Sequence, residues 1–123
     1  MSACILWIDS ENAKIFNIQA SGIEINTKKL QHIETKDAHH DSHKNNSEEH
    51  FFHEVANAIG KPEEFLVFGA GLAKTHFKTH LEKHHHPALL KSLVGVESLD
   101  QVSDNQILEA GRKFFKKNKT YVI

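Results

Sequence analysis

The chain has 123 residues, 39% hydrophobic and 25% charged, with a formal net charge of −1. That describes one globular domain and excludes a generally basic nucleic-acid binder, while leaving room for a local basic patch. Cys4 is the single cysteine, so no internal disulfide forms; a domain of this size buries about two thirds of its unfolded surface and needs none. No apolar run approaches the roughly 18 residues of a membrane helix, and the opening MSACILWIDS has no basic leader, so a cytoplasmic location is expected.

In chain order, Ala3 to Ile8 (ACILWI) is a predicted strand. Asp9 to Asn12 supplies turn residues, and Ala13 to Gln19 (AKIFNIQ) alternates, a hairpin signal without the usual loop glycine. After Ser21-Gly22, Ile23 to Ile33 opens with period-two alternation and reads as a third strand. Thr35 to Asn46 (TKDAHHDSHKNN) has one apolar residue and no periodicity, which predicts a long exposed loop; loops of this length are usually functional or disordered. Asn46 or Ser47 is the expected helix cap, and Phe52, Val55, Ala56 and Ile59 form the apolar face of the helix that Gly60 and Pro62 end.

Glu64 to Phe68 is a fourth strand. Gly69-Ala70-Gly71 turns it into a helix from Leu72 to about His84, with Ala73, Phe77 and Leu81 on one face. Pro87 separates that helix from a fifth strand, Ser92 to Ser98, and Ser103 with Gln106 forms a capping box for a last helix. Its buried face is Ile107, Ala110, Gly111 and Phe114, and the apolar end Thr120 to Ile123 is expected to dock. The order is β-β-β-α-β-α-β-α. Three meandering strands followed by right-handed crossovers give an α/β fold of ribonuclease H-like type: a mixed five-stranded sheet flanked by helices.

Several residue groups carry chemistry. Gly69-x-Gly71-x-x-Lys74 could hold a phosphate on helix amides, but it fits neither the P-loop nor the dinucleotide motif, and a strand exit is preferred. His76, His80 and His84 form an i, i+4, i+8 stripe. Its ends lie about 12 Å apart along the axis, too far for one ion, so a half-packed boundary stripe is expected.

The chain holds eleven histidines. The densest group is His39, His40 and His43 with Asp37 and Asp41, followed by His50 and His53. These could bind a divalent metal or touch RNA by stacking and phosphate pairing. Asp9, with Glu64, Glu97 and Asp100 near strand ends, is the only trace of a two-metal nuclease; Asp9 is read first as a turn former. Arg112, Lys113, Lys116, Lys117 and Lys119 suit either RNA phosphate or a helix C-terminus. Cys4, in an apolar strand, suits packing.

The segments ILWIDSENAKIF, FLVFGAGLAKTHFKTHLEKHH and LVGVESLDQVSDNQIL, with the element order, resemble the middle domain of archaeal and eukaryotic class 1 peptide-chain release factors and of Pelota. More closely, they resemble small bacterial single-domain translational machinery proteins. In release factors of this type, a Gly-Gly-Gln loop between the third strand and the first helix promotes hydrolysis of peptidyl-tRNA. Pelota acts in ribosome rescue without that tripeptide. Here Thr35 to Asn46 occupies the place, with no glycine and no glutamine.

The resemblance therefore implies a non-catalytic, ribosome- or RNA-associated protein, with Lys36, His39, His40, His43, Lys44 and Lys74 as contact candidates. Two alternatives stay open: a metal-dependent nuclease or hydrolase on this scaffold, and a histidine-rich metal-binding module. No motif calls for a cofactor. A divalent ion is the one that the histidines admit, with His39, His40 and His43 as its candidates.

Overall fold

The computed structural model describes residues 2–19, 25–32, 41–84 and 86–117, of which 41–46 by backbone alone. The first strand, β1 (Ala3–Ile8), is buried at every position. Such a continuous apolar strand belongs in the middle of a sheet covered on both faces. It pairs antiparallel with β2 (Asn12–Ile18) and parallel with β4 (Glu64–Gly69). The edges are β3 (Ile25–Gln31), antiparallel to β2, and β5 (Leu93–Ser98), parallel to β4. The sheet order is β3-β2-β1-β4-β5, the mixed five-stranded arrangement expected of a ribonuclease H-like domain.

The β1–β2 hairpin turns without glycine because Asp9 does the work with its side chain. Its Oδ1 accepts the N–H groups of Glu11 and Asn12 at 2.9 and 2.6 Å, and its own N–H donates to the Asn12 carbonyl at 2.9 Å. An Asx turn of this kind replaces the positive-φ glycine of the commoner hairpin loops.

Side chains alternate to two helical layers. Cys4, Leu6 and Ile8 face α1 (Asp41–Ile59), α2 (Ala73–Lys83) and α3 (Pro87–Ser92), together with Ala13, Ile15, Phe65 and Val67. Ala3, Ile5 and Trp7 face the other way, with Phe16, Ile18, Leu66 and Phe68, under Ile107 and Phe115 of α4 (Asp104–Lys117). Trp7 satisfies its indole N–H on the Leu99 carbonyl at 3.0 Å. The capping box at α4 is present: the Ser103 N–H donates to Gln106 Oε1 at 3.0 Å, and the Gln106 N–H to Ser103 Oγ at 3.3 Å. Lys14 and Lys29 both reach Asp104, at 3.2 and 3.3 Å, and tie β2 and β3 to the start of α4. Burial works against the Asp104 charge, but hydrogen bonds and attraction from the two lysines outweigh it and hold the carboxyl below its usual range.

Two expectations need correction. The exposed loop at 35–46 is helical from Asp41 onward, so α1 starts five or six residues before the expected cap. The first turns are polar on every side, and hydrophobic periodicity cannot register a helix that has nothing to bury. Residues 35–40 lie outside the described residues. The second correction is α3, a six-residue helix where the sequence predicts only a break at Pro87; Pro87 opens it at the first position, where proline's missing N–H costs nothing. On α4, Phe115 is fully buried beside Ile107 and Gly111, while Phe114 packs only in part. Residues 120–123 lie outside the described residues.

The β4–α2 turn is a scaffold feature. Gly71 has φ +67°, in the left-handed region. At Gly69, a β-carbon would collide with the Ile8 carbonyl oxygen of the neighbouring strand. Gly69→Ala is therefore expected to destabilise the protein by about 2 kcal/mol or more, the cost of overpacking against backbone that cannot yield. Urea unfolding checks this through a lowered midpoint at unchanged m-value.

Candidate functional site

Helix α1 turns Phe52, Val55, Ala56 and Ile59 to the sheet, and α2 turns Ala73, Phe77 and Leu81 to it. Where two helices lie side by side on a sheet, residues bordering one apolar stripe meet residues bordering the other. His53 follows Phe52 on α1; His80 stands between Phe77 and Leu81 on α2. Phe52 meets Phe77 edge-on at 5.5 Å between ring centroids and His80 at the same distance. His53 and His80 lie 4.9 Å apart, centroid to centroid.

Two more imidazoles join through the end of α2. His84 is its C-cap residue, with its backbone N–H on the His80 carbonyl, and its ring lies 4.4 Å from His80 and 5.1 Å from His53. His86 is the N-cap residue of α3 and donates its N–H to the Leu81 carbonyl at 3.0 Å; its ring is 6.1 Å from both His53 and His80. On the α1 side, Glu49 is 3.7 Å from His84 Nε2 and 3.5 Å from Lys83 Nζ.

His80 is 4% exposed, while His53 is open to solvent. The Nε2 atoms of His80, His84 and His86 are buried without a hydrogen-bond partner in the protein. Such groups cost about 1–3 kcal/mol each in desolvation. Burial, and then repulsion from His84, His53 and His86, pushes His80 down to about 4, against a smaller opposing pull from Glu49. Burial and the charges of His53 and His84 lower His86 as well. A neutral imidazole with a free nitrogen is the form that ligates a metal ion.

Among the described residues, His53, His80 and His86 are the only group of three or more metal-ligating side chains whose donor atoms converge. Two surface grooves flank them. One, of about 250 Å³, is lined by Glu48, Glu49, Phe52, His76, His80 and His84. The other, of about 280 Å³, runs from Ala56 and Asn57 to His86 and Pro87.

The residues singled out in the sequence fall in several places. Lys36, His39 and His40 lie outside the described residues; His43 and Lys44 sit in the first turns of α1, their side chains likewise outside. Lys74 folds back and donates its ammonium to the Gly71 carbonyl at 2.6 Å on the exposed side of the turn. The α2 stripe is half packed and half wet, as expected: His76 is exposed, His80 buried and His84 between. It does not share one ion along its length, yet it lends His80 to a cluster across helices. His50 pairs with Glu54 on the exposed side of α1 at 3.1 Å.

Asp9, Glu64, Glu97 and Asp100 form no converging set. Asp9 and Glu64 lie at opposite ends of the paired strands, since Ala3 is in register with Glu64 and Ile8 with Gly69. Arg112, Lys116 and Lys117 are exposed, Lys113 pairs with Glu109 at 3.3 Å, and Lys119 lies outside the described residues. Burial pushes the Cys4 thiol far up, which fits a packing role.

His86 was not legible as a site residue. Its sequence signal is its place just before Pro87, the residue that opens α3.

The strand order and the layers, three helices on one face and one on the other, define a ribonuclease H-like α/β domain. No protein-family model and no curated protein matches the sequence. Solved structures do match. Pelota from Archaeoglobus fulgidus superposes with a TM-score of 0.64 at 18% identity, over 91% of this chain and 31% of that one. Pelota from Thermoplasma acidophilum gives 0.61 at 14%, over 94% and 32%. An archaeal translation termination factor gives 0.56 at 14%, over 96% and 40%.

The resemblance to the Pelota and release-factor domain is thus borne out in the fold, and the chain spans 31 to 40% of the length of these three proteins. No described helix is long and apolar enough to cross a membrane.

The low His80 value makes stability depend on pH. Unfolded, the ring has its ordinary value of 6.5; folded, it sits near 4. Between these values the unfolded chain holds more protons, so stability is fully present above pH 6.5 and falls as pH drops toward 4. The groups facing the ring are His53 and Glu49 of α1, His84 and His86. In chelator-treated protein, urea unfolding at pH 7.5 and 4.5 is expected to differ by up to about 3 kcal/mol from this ring, and His80→Phe is expected to flatten the slope.

Proposed function

We propose that this protein is a translation-related, ribosome- or RNA-associated protein that works by binding and without Gly-Gly-Gln-type hydrolysis. One observation carries the reading: more than nine tenths of the chain takes up the fold shared by two Pelota proteins and a translation termination factor. Where release factors of the resembled type carry their tripeptide, this chain has Thr35 to Asn46, rich in histidine and lysine. Such side chains pair with phosphate or stack on unpaired bases. Lys36, His39, His40, His43, Lys44 and Lys74 are the proposed contacts.

Sedimentation through sucrose gradients tests this. At low salt the full chain is expected in ribosomal fractions, and its release on adding salt should be steep, because each phosphate contact adds about one unit to the logarithmic slope. Replacing Lys36 and Lys44 by alanine should weaken binding and lower that slope by about two. A protein that stays at the top of the gradient at low salt defeats the reading.

A further inference from the structure

Three imidazoles from three separate elements converge beside α1. His53 comes from α1, His80 from α2 and His86 from the start of α3, and one donor nitrogen of each lies within 4.8 Å of the other two. Zinc held by histidine at about 2.0–2.1 Å in a tetrahedron needs donors about 3.3 Å apart. Closure by about 1.5 Å at most therefore completes the set, a distance that small side-chain rotations cover.

We propose that His53, His80 and His86 bind one zinc-class divalent cation, which fastens α1 to the corner between α2 and α3. This inference is independent of the translation reading.

The unsatisfied nitrogens argue for it. A histidine used only as structure has partners, and His32 is an example: Nδ1 lies 3.0 Å from the Ser10 carbonyl and Nε2 2.8 Å from Ser47 Oγ, with the ring stacked on Phe51. His80 is more deeply buried, and its Nε2 has no such partner; nor has Nε2 of His86. A cation meeting both rings and His53 satisfies them at once.

The donor set selects the ion. Nitrogen-only ligands suit zinc, copper and nickel, whereas magnesium and calcium require oxygen. Three protein ligands leave a fourth position for water, and exposed His53 puts it within reach of solvent. His84, close to Glu49, stands against both His80 and His53. The flanking grooves, one lined by His80 and the other by His86, give an ion its way in.

The test is titration of the full chain with zinc(II) against a chromophoric chelator, followed by the same titration of variants whose folding is checked by circular dichroism. The expected result is one zinc ion per chain at this site. His53→Ala and His86→Ala should each lower the affinity at least 30-fold. His50→Ala, His76→Ala and the triple change of His39, His40 and His43 to Ala should leave it within threefold. Magnesium in thousandfold excess should not compete. Zinc should also raise the melting temperature of the parent chain but not of the His53→Ala, His86→Ala double variant. The proposal is overturned if the full chain shows no saturable binding, or if the folded double variant keeps the parent affinity. Neither result bears on sedimentation with ribosomes.

Discussion

Strand β1 touches solvent nowhere. Its six residues are divided between two layers, Cys4, Leu6 and Ile8 beneath α1 to α3 and Ala3, Ile5 and Trp7 beneath α4. Burying one strand on both faces sets the whole plan, because every other element must cover one side of it or extend its ladder. β2 and β4 take its two edges, and helices close both faces. The close approach of Gly69 to the Ile8 carbonyl and the indole bond of Trp7 to the Leu99 carbonyl follow from the same crowding. A change at β1 is therefore felt in both layers together.

The histidine cluster follows from that plan. α1 and α2 both lie on the face formed by Cys4, Leu6 and Ile8, so their apolar stripes point the same way and their borders meet. Histidines stand at the borders. The contrast with His32 matters here: one histidine in this fold has a partner for each ring nitrogen, and the cluster holds two Nε2 atoms, of His80 and His86, that have none. Low dielectric makes an unpaired imidazole expensive and also keeps it neutral, which is the state that donates a lone pair. The residues proposed to contact RNA and those proposed to bind metal share α1. Its first turns carry His43 and Lys44, and its middle carries His53.

Much of the plan is legible along the chain. The unbroken apolar run of β1, the alternation of β2, the glycine exit from β4 and the Ser103–Gln106 box each leave a local mark, because each solves a local backbone problem. The start of α1 leaves none, since a polar turn of helix and a polar loop have the same composition. α3 is a turn and a half long, too short for its period to rise above that of a loop. The stripe His76, His80, His84 is visible, and so is His53, but nothing along the chain connects them. The distance of about 12 Å between the stripe's ends excludes one ion along a single helix; it has no bearing on a set drawn from three elements.

The sequence by itself determined the α/β class, the order of the strands and of the three longer helices, the hairpin at Asp9 and the resemblance to the Pelota and release-factor domain, because these follow from periodicity, turn chemistry and short motifs. Only the tertiary structure decided which histidines share a place. Packing α1 beside α2 and turning sharply into α3 at Pro87 brings His53, His80 and His86 together across 33 positions of sequence. That neighbourhood depends on how two helices settle against one face of the sheet. It is a property of distances in space, and spacing along the chain does not encode it.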